Sequence, residues 1–295
     1  MKNLVWRIEA AAIGALIWFF GAIGVRAASA LGGGLARMIG PLLPVSRVAD
    51  DNLRRAMPEF DASQRRTIVR GVWDNLGRTV AELPHVGRLR ASVSGPGYEA
   101  VGLEHIDAVI AAGGPALLIS GHLGNWEALP SVTAMRGLPF ASFYRAPPNP
   151  YLDALIKRVR ARAVAVPVAT FNKGATGARQ ALAHLRAGGS LGILIDQKMN
   201  DGIEATLFGR PAMTAPAAAI FALRHRIPVV FGWTERLGPA RFRVHILPPE
   251  PLPDTGDRTV DVATLTQVLN NRLEAAIRLQ PAQWLWLHRR WPKSH

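Results

Sequence analysis

Short apolar runs alternate with helical patterns over the last two thirds of the chain. The apolar runs that predict buried strands lie at 116–120, 138–144, 163–168, 191–195, 229–235 and 242–247. The patterns that predict helices between and after them lie at 103–112, 125–135, 151–162, 177–186, 216–225 and 260–278. This alternation is typical of an α/β domain, so we predict a mostly parallel or mixed central sheet flanked by helices.

Two helices and a loop-rich connection are predicted upstream of this region. Ser46 is a suitable cap for a short basic helix that ends at residue 57. Asp61 is a suitable cap for a longer helix whose apolar stripe reaches residue 80. Pro and Gly residues break the pattern across 84–98, which indicates a connecting loop. We therefore expect an N-terminal segment at 1–44, a helical connecting region at 45–98 and an α/β core at 99–295.

The N-terminal segment contains a long uncharged apolar stretch. Residues 10–25 carry no charge, include Trp18 and Phe19, and have basic residues on both sides. A full membrane span needs about 20 apolar residues, so this stretch favours a short, tilted or interfacial membrane anchor. Two alternatives stay open. Residues 28–30 resemble a signal-peptide cleavage site, and the stretch could form a buried helix of a soluble domain.

Composition and charge narrow the classes of protein further. Hydrophobic residues make up 49% and charged residues 19%, which excludes a disordered chain. The absence of Cys excludes disulfides and thiolate chemistry. A net charge of +14 favours anionic partners, such as an anionic membrane face, a phosphorylated substrate or an acidic protein. Nucleic acid is not expected as a partner, because no stacking platform or reading helix is recognisable.

The loop after the strand at 116–120 is the main candidate for an active site. Sites in open α/β sheets lie beyond the carboxyl ends of the strands. This loop contains His122 and Glu127, and Gly121 and Gly124 allow a sharp turn that could bring those two side chains together. A carboxylate on one imidazole nitrogen leaves the other nitrogen to take a proton from a hydroxyl. From spacing alone, a structural histidine and a solvated acid remain the alternative.

Other polar residues are expected at the same edge of the sheet. Asp196 follows the strand at 191–195, where it could support the site or hold a turn. Arg145 leaves the strand at 138–144 and would suit a phosphate or an anionic headgroup. The basic helix at 157–162 suits an acidic partner. The sequence patterns of serine-hydrolase elbows, zinc proteases and P-loops are absent, so we expect no metal or nucleotide cofactor.

Several pieces of the chain together match a known pattern: residues 121–127, Tyr144-Arg145, residues 149–153, Arg160, Phe208-Gly209 with Thr214, and residues 283–291. In these pieces the chain resembles the bacterial lipid A biosynthesis acyltransferases, the late lauroyl and myristoyl transferases. That family is related to the glycerol-3-phosphate and lysophospholipid acyltransferases. The resemblance extends over essentially the whole chain, including the apolar N-terminus.

The resemblance implies transfer of a fatty acyl chain from acyl carrier protein to a hydroxyl of a lipid A precursor. The enzyme would lie on the inner membrane, with its catalytic domain on the cytoplasmic side. His122 would act as the general base and Glu127 as its orienting carboxylate. Substrate binding would involve Arg145, Asn149, Arg160 and Asp196. The alternatives are transfer to another lysophospholipid or glycolipid, hydrolysis by the same pair, and non-catalytic binding of membrane lipids.

Overall fold

The apolar runs form the strands of a seven-stranded sheet. The computed structural model describes residues 2–144, 146–164, 169–172 and 174–292. Its strands are β1 (Gly97–Val101), β2 (Leu117–Ser120), β3 (Phe140–Tyr144), β4 (Thr170–Asn172), β5 (Ser190–Leu194), β6 (Ile203–Leu207), β7 (Arg210–Thr214), β8 (Val229–Gly238) and β9 (Arg241–Ile246). The order in the main sheet is β1-β9-β8-β2-β5-β3-β4, and only β8 and β9 pair antiparallel. The predicted α/β fold with a mostly parallel, mixed sheet is confirmed.

Helices cover both faces of this sheet. The α-helices of the described residues are α1 (Lys2–Ala22), α2 (Val25–Ile39), α3 (Ser46–Ala56), α4 (Ala62–Glu82), α5 (Leu103–Ala112), α6 (Leu129–Met135), α7 (Pro150–Val164), α8 (Ala175–Arg186), α9 (Ala217–His225) and α10 (Arg258–Leu279). Asp61 caps α4 as predicted, in a reciprocal arrangement with Gln64. Ser46 does not cap α3, because its hydroxyl lies inside the first turn and donates to the carbonyl of Gly40.

Side chains alternate across the sheet and build one apolar layer on each face. On one face, Ile119 of β2 and Leu191 of β5 pack with Leu269 of α10 in the larger cluster. On the other, Leu118 of β2 packs with Ile106 of α5 in the smaller cluster. Neighbouring residues of a strand point to opposite faces, so a strand buried on both faces is apolar throughout. This is why β2 and β5 were visible in the sequence.

Some elements differ from the sequence prediction. The strand predicted at 163–168 is not formed at its start, because α7 continues to Val164. Residues 165–168 lie outside the described residues, and the strand at this edge of the sheet is β4. The hairpin of β6 and β7 was not predicted. Its two-residue turn places both Phe208 and Gly209 at positive φ, and Phe at the first turn position is not a recognisable turn signal.

The first two helices leave much of their apolar surface exposed. Within the described residues, α1 is the one helix long and apolar enough to cross a membrane, and 6% of its apolar window is buried. This low burial contradicts the alternative of a buried helix in a soluble domain. The exposed large apolar residues of this region are Leu4, Val5, Ile8, Leu16, Trp18, Phe19, Leu31, Leu35, Met38, Ile39, Leu42 and Leu43.

The opposite side of α2 packs closely on α4 through glycines. A Cβ atom added to Gly32 would lie 2.5 Å from the Cβ of Ala81 and 2.6 Å from the carbonyl oxygen of Gly77. A Cβ atom on Gly77 would lie 2.2 Å from the carbonyl oxygen of Gly32. Only glycine allows two backbones to approach this closely. The exposed face of α2 is therefore held at a fixed position on the domain.

Replacement of the packed glycine is expected to destabilise the protein. We expect Gly32→Ala to cost about 1–3 kcal/mol, because the added methyl group forces the two helices apart. The matched control is Gly34→Ala on the same helix, where an added Cβ meets nothing within 4 Å. Thermal unfolding in detergent should show a lower Tm for Gly32→Ala and an unchanged or higher Tm for Gly34→Ala. Equal Tm values for the two variants would contradict the described packing.

Candidate active site at the carboxyl ends of the strands

Glycines shape the loop that connects β2 to α6. Gly124 has a φ of +53°, and a Cβ atom there would lie 2.0 Å from the carbonyl oxygen of Thr234 in β8. A Cβ atom on Gly121 would lie 2.6 Å from a side-chain methyl of Leu273 in α10. The loop therefore passes between β8 and α10 with no room for side chains at these two positions. It presents His122 at the carboxyl end of β2.

His122 is paired with the carboxylate of Asp196. The Nδ1 atom of the imidazole lies 2.8 Å from Oδ1 and 3.1 Å from Oδ2 of Asp196. The backbone N–H of His122 donates to Oδ2 at 2.8 Å. The sheet topology brings these two residues together, because β2 and β5 are parallel neighbours and each residue lies just beyond the carboxyl end of its strand. This is the edge at which the sequence analysis placed both residues.

The Asp196 carboxylate is fully buried and remains ionised. Its side chain is 0% exposed, and the indole Nε1 of Trp284 donates to Oδ2 at 2.8 Å. Burial alone would raise the pKa of the Asp196 carboxyl, but the attraction of His122 and its hydrogen bonds hold that pKa well below the usual range. A buried, ionised carboxylate on Nδ1 fixes the imidazole tautomer and stabilises a proton on the ring.

A C-terminal segment, residues 283–288, is hydrogen-bonded to this loop. The backbone N–H of Gly124 donates to the carbonyl of Gln283, and that of Leu285 donates to the carbonyl of His122. His288 contacts the backbone carbonyl of Asp196 through Nε2 at 3.0 Å. Burial lowers the pKa of His288, which favours the neutral ring. In the sequence this segment stands out only through the family resemblance, and no local pattern in it predicts a role in positioning the imidazole.

Glu127 bonds to an arginine rather than to the Nδ1 atom of His122. Its carboxylate forms a two-point ion pair with Arg160 of α7, with Nε 2.9 Å from Oε2 and Nη2 in contact with Oε1. The indole of Trp126 also donates to Oε1, at 3.2 Å. The expectation that Glu127 orients the imidazole therefore differs from the structure. A guanidinium offers a full charge and two parallel donors, whereas Nδ1 is already bonded to Asp196.

Asn149, another sequence-predicted site residue, lies at the contact between α7 and α1. Asn149 is 3% exposed, and its amide Nδ2 donates to the carbonyl of Trp6 and to the carboxylate of Glu9 in α1. Its Oδ1 accepts from the backbone at the start of α7. Asn149 therefore caps α7 and fastens α1 to it. Arg145 lies outside the described residues.

A buried ion pair beneath the loop was missed in the sequence analysis. Glu82 is 0% exposed and lies 2.5 Å from the guanidinium of Arg236. Its carboxylate also accepts from Asn125 of the loop at 2.8 Å and from Ser29 of α2 at 2.6 Å. These residues come from four separate parts of the chain, so no local pattern could have identified them. The network connects the loop to α2.

The geometry of the candidate site is of the kind that general-base catalysis requires. It combines an imidazole on a glycine-shaped loop, at the carboxyl ends of parallel strands, with a buried carboxylate on Nδ1. Within the described residues, no group of three potential metal-binding side chains occurs. The family model for bacterial lipid A biosynthesis acyltransferases matches residues 4–293, so the chain belongs to that family. A search of curated proteins finds no match.

The lowered pKa of Asp196 predicts a specific dependence of stability on pH. A carboxyl whose pKa is lowered on folding stabilises the protein above its unfolded pKa of about 3.9, and this contribution is lost as the pH falls below that value. The difference in unfolding free energy between wild type and Asp196→Asn should therefore be largest near neutral pH. It should shrink by about 1 kcal/mol between pH 5 and pH 3. Denaturant titrations at several pH values measure it, and a constant difference would contradict the assignment.

Proposed function

We propose that this acyltransferase moves a fatty acyl chain from acyl carrier protein to a hydroxyl of a lipid A precursor, as a late acylation step. Membership of the family supports an acyltransferase of lipid A biosynthesis. The observation that carries the mechanism is the pairing of His122 with the buried Asp196. The donor, the position in the acylation sequence and the cytoplasmic face of the inner membrane are parts of the proposal.

The proposed reaction uses His122 as the general base. Because Nδ1 bonds to Asp196, Nε2 is the nitrogen that accepts the proton of the acceptor hydroxyl. The hydroxyl oxygen attacks the thioester carbonyl, a C–O bond forms and the C–S bond breaks. The proton then passes from the imidazolium to the departing sulfur. Asp196 stabilises the imidazolium while it exists, as an orienting carboxylate does in other imidazole bases. The thioester is already activated, so no step requires a metal or a cofactor.

Glu127 and Arg160 form the second element of the proposed site. Trp126 connects this ion pair to the imidazole. Its ring packs edge-on to the ring of His122, with ring centres 5.1 Å apart, and its indole N–H donates to Glu127. The side chain of Arg160 is 40% exposed, so it can also meet an anionic acceptor. We propose that Glu127 is required for acyl transfer because it positions Arg160. Arg145 retains its proposed role toward a phosphate of the acceptor.

The catalytic pair can be tested by a double-mutant cycle. His122→Ala is expected to lower the rate of acyl transfer roughly 10²–10⁴-fold, because the general base is removed. Asp196→Asn should also lower it strongly, and the double variant should be scarcely slower than His122→Ala. The measurement is transfer from acyl carrier protein to purified lipid A precursor, followed by mass spectrometry. Wild-type transfer by His122→Ala would contradict the mechanism and favour non-catalytic lipid binding.

The same cycle separates the role of Glu127 from that of Asp196. If Glu127 acts through Arg160, the loss in Glu127→Gln should add to the loss in His122→Ala. Arg160→Lys, which keeps the charge but not the two-point geometry, should resemble Glu127→Gln. If Glu127→Gln lowers the transfer rate in the wild-type background but not in the His122→Ala background, Glu127 acts through the imidazole, as expected from the sequence.

The exposed cations of α7 support an acidic donor. Arg158 is exposed, and the side chain of Lys157 is 47% exposed although it pairs with Asp153. Acyl carrier proteins are acidic as a class, so the cations on α7 offer a complementary charge. Charges at the rim of an interface act mainly on the association rate and on its dependence on salt.

Reversal of these charges is expected to weaken use of the donor. The variant carrying Lys157→Glu and Arg158→Glu should show a several-fold higher KM for the acyl donor at low salt, a weaker dependence on salt, and a nearly unchanged kcat. The control is Arg224→Glu, an exposed cation on α9 at the amino end of β8. Unchanged donor kinetics at low salt, or an equal effect in the control, would count against the proposed surface.

A further inference from the structure

One face of α1 is packed on the domain along the whole length of the helix. The residues of α1 that are buried or half-buried are Trp6, Ala10, Ile13, Gly14, Ile17, Phe20 and Gly21. They recur at intervals of three and four residues, which places them on a single helical face. The opposite face exposes large apolar side chains, with Trp18 exposed at 74%. Both faces are apolar, but only one of them is covered.

Specific contacts fasten α1 to α7 and to the turn at Leu83–Arg88. At the start of α1, the carbonyl of Trp6 accepts from Asn149 at 2.8 Å. At the middle, a Cβ atom on Gly14 would lie 3.6 Å from a methyl of Leu155. At the end, the carbonyl of Phe20 bonds to His85 at 2.7 Å. The helices α1 and α7 therefore run side by side in the same direction.

The neighbour of α1 is too charged to enter a bilayer. On α7, the side chains of Arg158 and Arg162 are exposed. A helix that crosses the hydrocarbon while docked on α7 would take these cations with it, and intramembrane cations are strongly unfavourable unless they are paired. A docked α1 is therefore incompatible with a membrane span, even though its length and composition would permit one.

The outward face of α1 is continued by α2. Leu31, Leu35, Met38 and Ile39 are exposed on α2, whose other face is fixed to α4 by Gly32 and Gly77. Arg26 and Arg37 of α2 are exposed beside these apolar side chains. These apolar faces, with their flanking Arg residues and an exposed Trp, fit the surface of an anionic bilayer leaflet. The apolar side chains and the Trp would enter the upper acyl region, and the Arg residues would meet the anionic headgroups.

We propose that α1 and α2 form a membrane-docking face that lies in the plane of a single leaflet, and that α1 does not span the bilayer. This inference rests on the membrane location in the proposed function and not on the acyl-transfer reaction. Its consequence is that the N-terminus and the catalytic domain are on the same side of the membrane. A spanning α1 would place them on opposite sides.

The absence of Cys from the chain makes this topology directly measurable. Asn3→Cys reports on the N-terminus and Ala112→Cys, at the exposed end of α5, reports on the catalytic domain. Each full-length variant is expressed in cells, converted to spheroplasts and treated with a membrane-impermeant maleimide before and after lysis. We expect both cysteines to show the same accessibility. Opposite accessibility, with one cysteine labelled before lysis and the other only after it, would overturn the proposal.

A second measurement tests the docking of α1 in the membrane. Gly14→Cys with Leu155→Cys places two thiols at the α1–α7 contact, and a short bifunctional methanethiosulfonate should link them in the membrane fraction. The control pair is Leu16→Cys with Leu155→Cys, because Leu16 is on the exposed face. Equal or no linkage in the two pairs would overturn docking. Absence of the protein from the membrane fraction would overturn the membrane location as well. The rate of acyl transfer, measured on the same preparations, tests the proposed reaction separately.

Discussion

The buried carboxylate of Asp196 is the group on which the rest of the site depends. A carboxylate removed from water is tolerated only when donors surround it. Here the donors are the backbone and ring of His122 and the indole of Trp284, which lie 74 and 88 positions away along the chain. The loop after β2, the loop after β5 and residues 283–288 must therefore assemble together. The bonds that satisfy the charge are also the bonds that orient the imidazole.

A second buried carboxylate, that of Glu82, is likewise surrounded by hydrogen-bond donors from separate parts of the chain. The Glu82 carboxylate bonds to Arg236, to Asn125 of the loop after β2 and to Ser29 of α2. The loop that carries His122 is thereby bonded, through one carboxylate, to a helix whose other face is apolar and exposed. Cleavage after residue 30 would cut α2 through this packed region, a physical argument against a removable N-terminal segment.

Helix α7 contacts α1 and the loop that carries Glu127, and it also presents exposed cations. At its start, Asn149 fastens α1, and near its end Arg160 holds Glu127 beside the imidazole loop. Between them, Lys157 and Arg158 face outward. The large positive charge of the chain is consistent with this layout, since the proposed donor, the acceptor and the leaflet are all anionic. One helix thus connects the two helices of the proposed membrane-docking face to the proposed active site.

The sequence by itself determined the fold class, because strands such as β2 and β5 are buried on both faces and are therefore continuously apolar. It also located the imidazole on a loop with two glycines and found the apolar α1. The edge strand β1 and the hairpin of β6 and β7 were not visible, since short half-buried strands carry little pattern. The carboxylate partner of His122 was decided only by the tertiary structure. Glu127 is five positions away, but the order of strands brings Asp196 to Nδ1, and the charge of Arg160 holds Glu127 elsewhere. Distances along the chain do not report which strands are neighbours in the sheet.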